Sequence, residues 1–266
     1  MKRLRVKDIA NLPQHDLNAY LGISGHFGGL KSTQKLIELT KIANNKRILD
    51  VGCGIGNTSF YISKKFNCNI IGFDISKIGI EKACKKNMVS KNINFFVADL
   101  QNTPIKDERF DAIIVENVLT LCENKRKALE ELARITKPGG FIGLNEIFWA
   151  KKPESIKYDK KTGEIKEETK IYKTKIFVFP TFNELMDLLK KSKFKCVKYY
   201  ESPKLSFFEK ILFSFKNVKK IIIFFKIMYL SALNKELRER FLISNKHQNS
   251  IKKGTEVGFG LFIIEK

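Results

Sequence analysis

The residues whose types and spacing could do chemistry form one run, Ile48-Leu49-Asp50-Val51-Gly52-Cys53-Gly54-Ile55-Gly56-Asn57. An apolar strand runs directly into a glycine-rich turn that opens a helix. Glycine accepts φ > 0 and lets backbone approach a ligand closely, and the helix start offers unpaired N–H groups. The dinucleotide fingerprint G-x-G-x-x-G fails here, because Asn57 stands where its third glycine belongs. What stands instead is D-x-G-x-G-x-G. An acid inside the strand would repel a pyrophosphate, and it suits a ligand carrying an ammonium and a sulfonium. Metal chemistry has no comparable signal, since the 3 histidines, His15, His26 and His247, have no ligand spacing. The 5 cysteines (Cys53, Cys68, Cys84, Cys122, Cys196) are an odd number without a CxxC pair. They argue against a disulfide framework or a structural zinc site and for a reducing cytosol.

The elements that must position this turn are legible around it. Apolar, β-branched runs at Arg47–Val51, Asn69–Phe73, Ile93–Ala98, Phe110–Val115 and Phe141–Ile147 alternate with amphipathic helical stretches at Thr58–Lys65, Lys77–Val89 and Lys125–Thr136. Strand runs with little polar alternation are covered on both faces, so the sheet is parallel and helices lie outside it. This alternation predicts a doubly wound α/β sheet, whose switch point is where a nucleotide-like ligand sits. After Trp149 the character changes. Lys151–Lys175 reads as a charged, exposed excursion, followed by a helix at Phe182–Lys191, a strand at Lys195–Tyr200, a Phe/Ile/Lys-rich stretch at Leu205–Leu230 and a last strand at Gly258–Glu265. The chain of 266 residues is long enough for one large domain with an insertion. It has no signal-peptide core and no apolar run of membrane-spanning length.

At the glycine turn the chain resembles the class I S-adenosylmethionine-dependent methyltransferases, and the resemblance extends over residues 45–148 motif by motif. It implies a seven-stranded, mostly parallel sheet with an antiparallel last strand, preceded by a helical insertion at about residues 203–256 that covers the acceptor. Residues 1–44 would be a cofactor-lid segment, 45–148 the cofactor-binding core and 149–266 the remainder of a single domain. S-adenosylmethionine is the implied cofactor. Asp50, Gly52, Gly54 and Gly56 would hold its methionine end, and Asp74 the ribose, with Ile75 packing on the adenine. Asp74 could instead cap the helix that follows, but Ser76 can do so equally well and frees it. Asp99 would meet the adenine amino group and Leu100 its ring face, and Asn117 would lie near the methionine part. Lys137-Pro138-Gly139-Gly140 is also a recurrent family turn.

Ahead of the first strand, Tyr20 and His26 flank a glycine-rich segment preceding a helix at about Thr33–Ala43. Similar segments in the family fold over the cofactor, which makes Tyr20 a candidate cofactor contact and His26 a candidate site residue. Methyl transfer requires orientation, exclusion of water and, for a neutral acceptor, removal of a proton. The candidate bases are His26, Glu116 and Glu146. Nothing in the reaction requires a metal.

For the acceptor, the stretch Leu205–Leu230 is the main clue. In helical projection Glu209, Lys210, Lys216, Asn217 and Lys220 share one side, and Phe207, Ile211, Phe215, Val218, Ile222, Phe225 and Tyr229 the other. One reading is an interfacial helix or apolar substrate lid whose lysines face anionic headgroups; the other is a helix packed on the sheet with a solvated lysine face. The first points to a small-molecule or lipid-like acceptor and a cytoplasmic protein with peripheral contact to an anionic membrane. The rival is a nucleic-acid acceptor, motivated by a net charge of +22 and by 27 Lys and Arg against 13 Asp and Glu after residue 150. Against it, Glu116-Asn117-Val118-Leu119 stands where base-amine enzymes carry Asn/Asp-Pro-Pro-aromatic, and no cysteine follows a proline.

Overall fold

The computed structural model describes residues 8–9, 11–22, 26, 28–87, 90–149, 157–158, 165–167, 180–192, 194–201, 218–235, 237–238 and 257–266. The chain forms two compact units, one of Met1–Ser24 with Lys204–Gly254, the other of Gly25–Pro203 with Thr255–Lys266.

The larger unit is built on a seven-stranded sheet. Its strands are β1 (Arg47–Val51), β2 (Asn69–Asp74), β3 (Ile93–Val97), β4 (Phe110–Glu116), β5 (Thr136–Trp149), β8 (Cys196–Glu201) and β9 (Val257–Glu265), in the order β3-β2-β1-β4-β5-β9-β8. The first five run parallel, and β9 pairs antiparallel with both β5 and β8. This is the doubly wound, mostly parallel sheet expected, with the last strand reversed. A separate two-stranded ribbon of β6 (Lys157–Tyr158) and β7 (Ile165–Glu167) lies in the segment read from sequence as an exposed excursion.

Alternation along the central strands feeds two cores. Leu49, Val51, Ile113, Val115, Ile142 and Leu144 pack with Leu129 and Leu132 of α5 (Lys125–Ile135) and with Leu185 and Leu189 of α6 (Phe182–Lys190). On the other face Ile48, Ile70, Ala112 and Ile114 meet Leu36 and Ile37 of α2 (Gly29–Leu39) and Ile62 of α3 (Asn57–Lys65). Helix α4 (Lys77–Lys86) is capped by Ser76 Oγ, which accepts from Gly79 N at 2.9 Å. Helix α6 opens with a capping box between Thr181 and Glu184. Lys137–Gly140 is looped out within β5, where pairing with β4 jumps from Phe110↔Thr136 to Ala112↔Phe141.

In the smaller unit, α1 (Gln14–Leu21) packs against α7 (Val218–Leu233) through Ile9, Leu17, Leu21, Leu230 and Leu237, with Tyr20 and Ile227 beside them. The Leu205–Leu230 stretch is therefore helical from Val218, and residues 205–217 lie outside the described residues. No described helix is long and apolar enough to cross a membrane.

Candidate functional site

The strand order reverses between β1 and β4, so the crevice of the doubly wound sheet opens at their carboxyl ends. Two turns form its walls: residues 52–56 after β1 and residues 117–121 after β4. They touch closely, since a Cβ built on Gly52 would lie 2.2 Å from Val118 Cγ2. Gly52, Gly54 and Gly56 all have positive φ, at 65°, 53° and 80°. Space beside Gly54 is open, with nothing within 4 Å of an added Cβ.

Asp50 is turned inward. Its Oδ2 accepts from Ser59 N at 2.9 Å and from Ser59 Oγ at 2.5 Å, which satisfies a donor in the first turn of α3. Burial pushes its carboxyl up to about 7; the Ser59 donors pull the other way, and the charges of Glu116 and Asp74 raise it further. Burial likewise raises the Cys53 thiol, so it stays protonated.

Asp74 closes β2 and organises the glycine turn. Its Oδ2 accepts from Gly54 N at 2.8 Å and its Oδ1 from Ser76 N at 2.7 Å. Ser76 supplies the helix cap with its own hydroxyl, so the Asp74 carboxylate is not needed there. Next to it Ile75 is 53% exposed, and Val97, which pairs with Asp74 across the sheet, is 49% exposed. Both are exposed apolar side chains at the carboxyl ends of β2 and β3. Asp99 Oδ1 accepts from Gln101 N at 2.9 Å, and both its oxygens lie 3.2 Å from Gln101 Nε2. Leu100 is a correction to the sequence reading. Its side chain is buried in the core on the α5 face of the sheet, so it has no face to offer a ring.

The turn after β4 carries a strained residue: Asn117 has φ 57°, in the left-handed region. Its N–H donates to Asn145 O at 2.8 Å, while its Oδ1 is buried without a hydrogen-bond partner. Glu146 holds the rest of the turn. Its Oε1 accepts from Val118 N at 3.0 Å and Leu119 N at 2.8 Å, its Oε2 from Thr120 N at 3.2 Å and Thr120 Oγ1 at 2.8 Å. Burial, outweighing these donors, raises its carboxyl to about 7. With no exposure and both oxygens taken, Glu146 anchors a loop and cannot reach an acceptor as a base, which corrects that expectation.

The other two candidate bases meet. His26 Nδ1 lies 3.3 Å from Glu116 Oε1, and both side chains are largely buried. Thr33 Oγ1 donates to Glu116 Oε1 at 3.0 Å and sits 3.1 Å from His26 Nε2; Thr58 Oγ1 donates to Glu116 Oε2 at 2.8 Å; Asn145 Nδ2 is 3.1 Å from His26 Nδ1. Thr33 has one hydroxyl proton and gives it to Glu116, so the ring must donate from Nε2. Nδ1 faces both the Asn145 amide and the Glu116 carboxylate. Thr33, Thr58 and Asn145 were not anticipated. Thr58 could have been found as the second residue of the helix opened by the glycine turn; Thr33 and Asn145 carry no local signal. Tyr20 belongs to the smaller unit, where the Lys226 ammonium lies 4.0 Å from its ring centroid and donates to its carbonyl oxygen at 3.2 Å. No group of metal ligands is found among the described residues.

A sheet of this order, with an acid–glycine turn at its switch point and a second acid closing β2, is the class I methyltransferase fold. Residues 49–144 match the family described as Methyltransferase domain. An uncharacterized protein of Haemophilus influenzae is 33% identical over 125 residues, 45% of this chain and 50% of that protein. Phosphoethanolamine N-methyltransferase 1 of Arabidopsis thaliana is 29% identical over 132 residues, 49% of this chain and 27% of that protein. The chain thus spans half or less of the length of these relatives. Among solved structures, phosphoethanolamine N-methyltransferase 2 of Haemonchus contortus, in complex with S-adenosyl-L-methionine, aligns with TM-score 0.69 at 15% identity, over 100% of this chain and 60% of that one. A methyltransferase of Thiobacillus denitrificans bound to S-adenosyl-L-homocysteine aligns with TM-score 0.66 at 16% identity, over 99% of each chain. Such identities establish a shared fold.

S-adenosylmethionine is the cofactor of this class, and the crevice fits it. The space beside Gly54 admits a ligand against backbone, and Asn117 Oδ1 is a buried acceptor lacking a donor. Asp74 and Glu116 lie close enough to Asp50 to raise its proton affinity, a concentration of acids that suits a sulfonium and an ammonium.

Proposed function

We propose that this chain transfers a methyl group from S-adenosylmethionine to a small-molecule or lipid-like acceptor, and that His26 with Glu116 handles the acceptor's proton. The observation that carries this reading is the buried Glu116–His26–Thr33–Asn145 cluster at the carboxyl end of β4, where Glu116 pairs with Asn145 of β5. When bound, the cofactor supplies a methyl group on a sulfonium, which reacts by in-line displacement.

The chain's own groups then have defined tasks. Asp74 offers its carboxylate to the ribose hydroxyls, Ile75 a face to the adenine and Asp99 an acceptor to the adenine amino group. Asn117 Oδ1 and the backbone of Gly52, Gly54 and Gly56 line the methionine end, with Asp50 bracing the turn from behind. At the acceptor, a proton released by an amine or hydroxyl is held at His26 Nδ1, with the Asn145 amide turned to present its oxygen. The Glu116 carboxylate 3.3 Å away stabilises the imidazolium. Thr33 and Thr58 fix that carboxylate in place.

Relatives named for phosphoethanolamine support a small-molecule acceptor, and no relative reported above is named for a nucleic-acid one. Five free cysteines, three of them buried, fit a reducing cytoplasm.

The test is methyl-labelled S-adenosylmethionine with cell extract separated into lipid, RNA, protein and small-molecule fractions. Label is expected in the small-molecule or lipid fraction, and His26→Ala should cut the transfer by about 10²–10⁴ while cofactor affinity holds. Label confined to RNA would overturn the acceptor class, and an undiminished rate in His26→Ala would remove the base.

A further inference from the structure

Helix α7 is dressed in reverse on one side. Its inner face, carrying Ile227 and Leu230, packs on α1, and Lys226 bonds there with Tyr20. Its outer face presents Phe225, Met228, Tyr229 and Leu233 at 65, 54, 63 and 51% exposure, with Ala232 exposed between them. The spacing i, i+3, i+4, i+7, i+8 places these side chains in one stripe, and no charged residue interrupts it. Four large apolar side chains at half exposure or more on one helix face form a patch of the kind that marks an interaction site.

The surrounding charge identifies the partner. Residues 204–254 carry 12 Lys and Arg against 3 Asp and Glu, and exposed Lys235 and Arg238 stand just beyond the helix end. A second copy would bring its own Lys235 and Arg238 to the same helix and be repelled. At 16 residues, α7 is about 24 Å long and does not qualify as a membrane span. A basic unit bearing a short helix with an apolar outer stripe has the composition of an element that lies in the plane of an anionic membrane. We propose that α7 seats this unit on an anionic lipid surface, with Phe225, Met228, Tyr229 and Leu233 entering the headgroup boundary and Lys235 and Arg238 meeting lipid phosphates. The inference stands independently of the methyl-transfer reading.

The full chain should float with vesicles of phosphatidylcholine containing about one phosphatidylglycerol in three, and bind vesicles of phosphatidylcholine alone far more weakly. The charge-neutral double substitution Phe225→Ser, Tyr229→Ser should weaken partitioning into the anionic vesicles by at least about tenfold, with thermal stability and S-adenosylmethionine affinity unchanged. Undiminished binding by the double variant would mean adsorption by lysines alone and would overturn the proposal. Absence of wild-type vesicle binding would also overturn it. So would a wild-type dimer in light scattering that the double variant converts to monomer, because the stripe would then be a subunit interface.

Discussion

Asp50 and Glu146 are both buried, both have their carboxyls raised to about 7, and yet they are bonded differently. Neutral substitution at each therefore separates the effect of charge from that of hydrogen bonding. The shifts run from ordinary values of 3.8 and 4.5, so between about pH 4 and 7 the folded protein holds protons that the unfolded chain releases. The stability these groups contribute is full below the unfolded values and is lost as pH rises through about 7, at no more than about 1.4 kcal/mol per pH unit for each group. Asp50 uses one oxygen, Oδ2, for both Ser59 donors. In Asp50→Asn the amide oxygen can take that place, so stability at pH 8 should stay within about 1 kcal/mol of wild type and part of the pH slope should vanish. Glu146 uses both oxygens, with two donors on each. In Glu146→Gln the amide NH₂, placed at the Oε2 position, can donate to the Thr120 hydroxyl but faces the Thr120 N–H in a buried site. At about 1–3 kcal/mol for an unsatisfied donor, the loss should be about 1–3 kcal/mol. Urea denaturation of the three proteins at pH 5 and pH 8 reads both quantities. Glu146→Gln as stable as wild type at pH 8, or Asp50→Asn losing as much as Glu146→Gln, would refute the bonding argument.

Asp74→Ala should weaken S-adenosylmethionine binding at least tenfold, about 1.4 kcal/mol, through loss of the ribose acceptor and of the bonds to Gly54 N and Ser76 N; unchanged affinity in titration calorimetry would remove that role. Gly52→Ala adds about 1–2 kcal/mol of left-handed strain and drives a methyl group into Val118, so both the melting temperature and cofactor affinity should fall. Differential scanning fluorimetry with and without cofactor checks both, and a variant that melts as wild type does would show that the two turns are not tightly packed.

The expected elements were visible because they depend on local pattern. Arg47–Val51 was read with its observed ends, and β2, β3, β4, α3 and α5 within a residue or two, since a covered strand is an apolar run and an amphipathic helix has a 3.6-residue period. Helix α2 was misplaced: it begins at Gly29 rather than about Thr33, because Gly28 and Gly29, read as a loop, turn with positive φ directly into the helix. Ribbon β6–β7 escaped notice because two strands of two and three residues leave too little alternation among lysines and glutamates.

What the sequence determined by itself was the sheet, the acid–glycine turn and the acid at the end of the next strand, each set by residues close together in the chain. What only the tertiary structure decided was which polar groups are free to act. His26 and Asn145 are 119 residues apart, and packing of α2 against the sheet is what allows them to converge with Glu116 and Thr33. Glu146 looked equal to Glu116 as a base, but its neighbour in space is a loop of N–H donors, while Glu116 is bonded to hydroxyls beside an imidazole. Burial and the direction of hydrogen bonds are properties of the assembled crevice, so the difference between an anchor and a base has no counterpart in residue type or spacing.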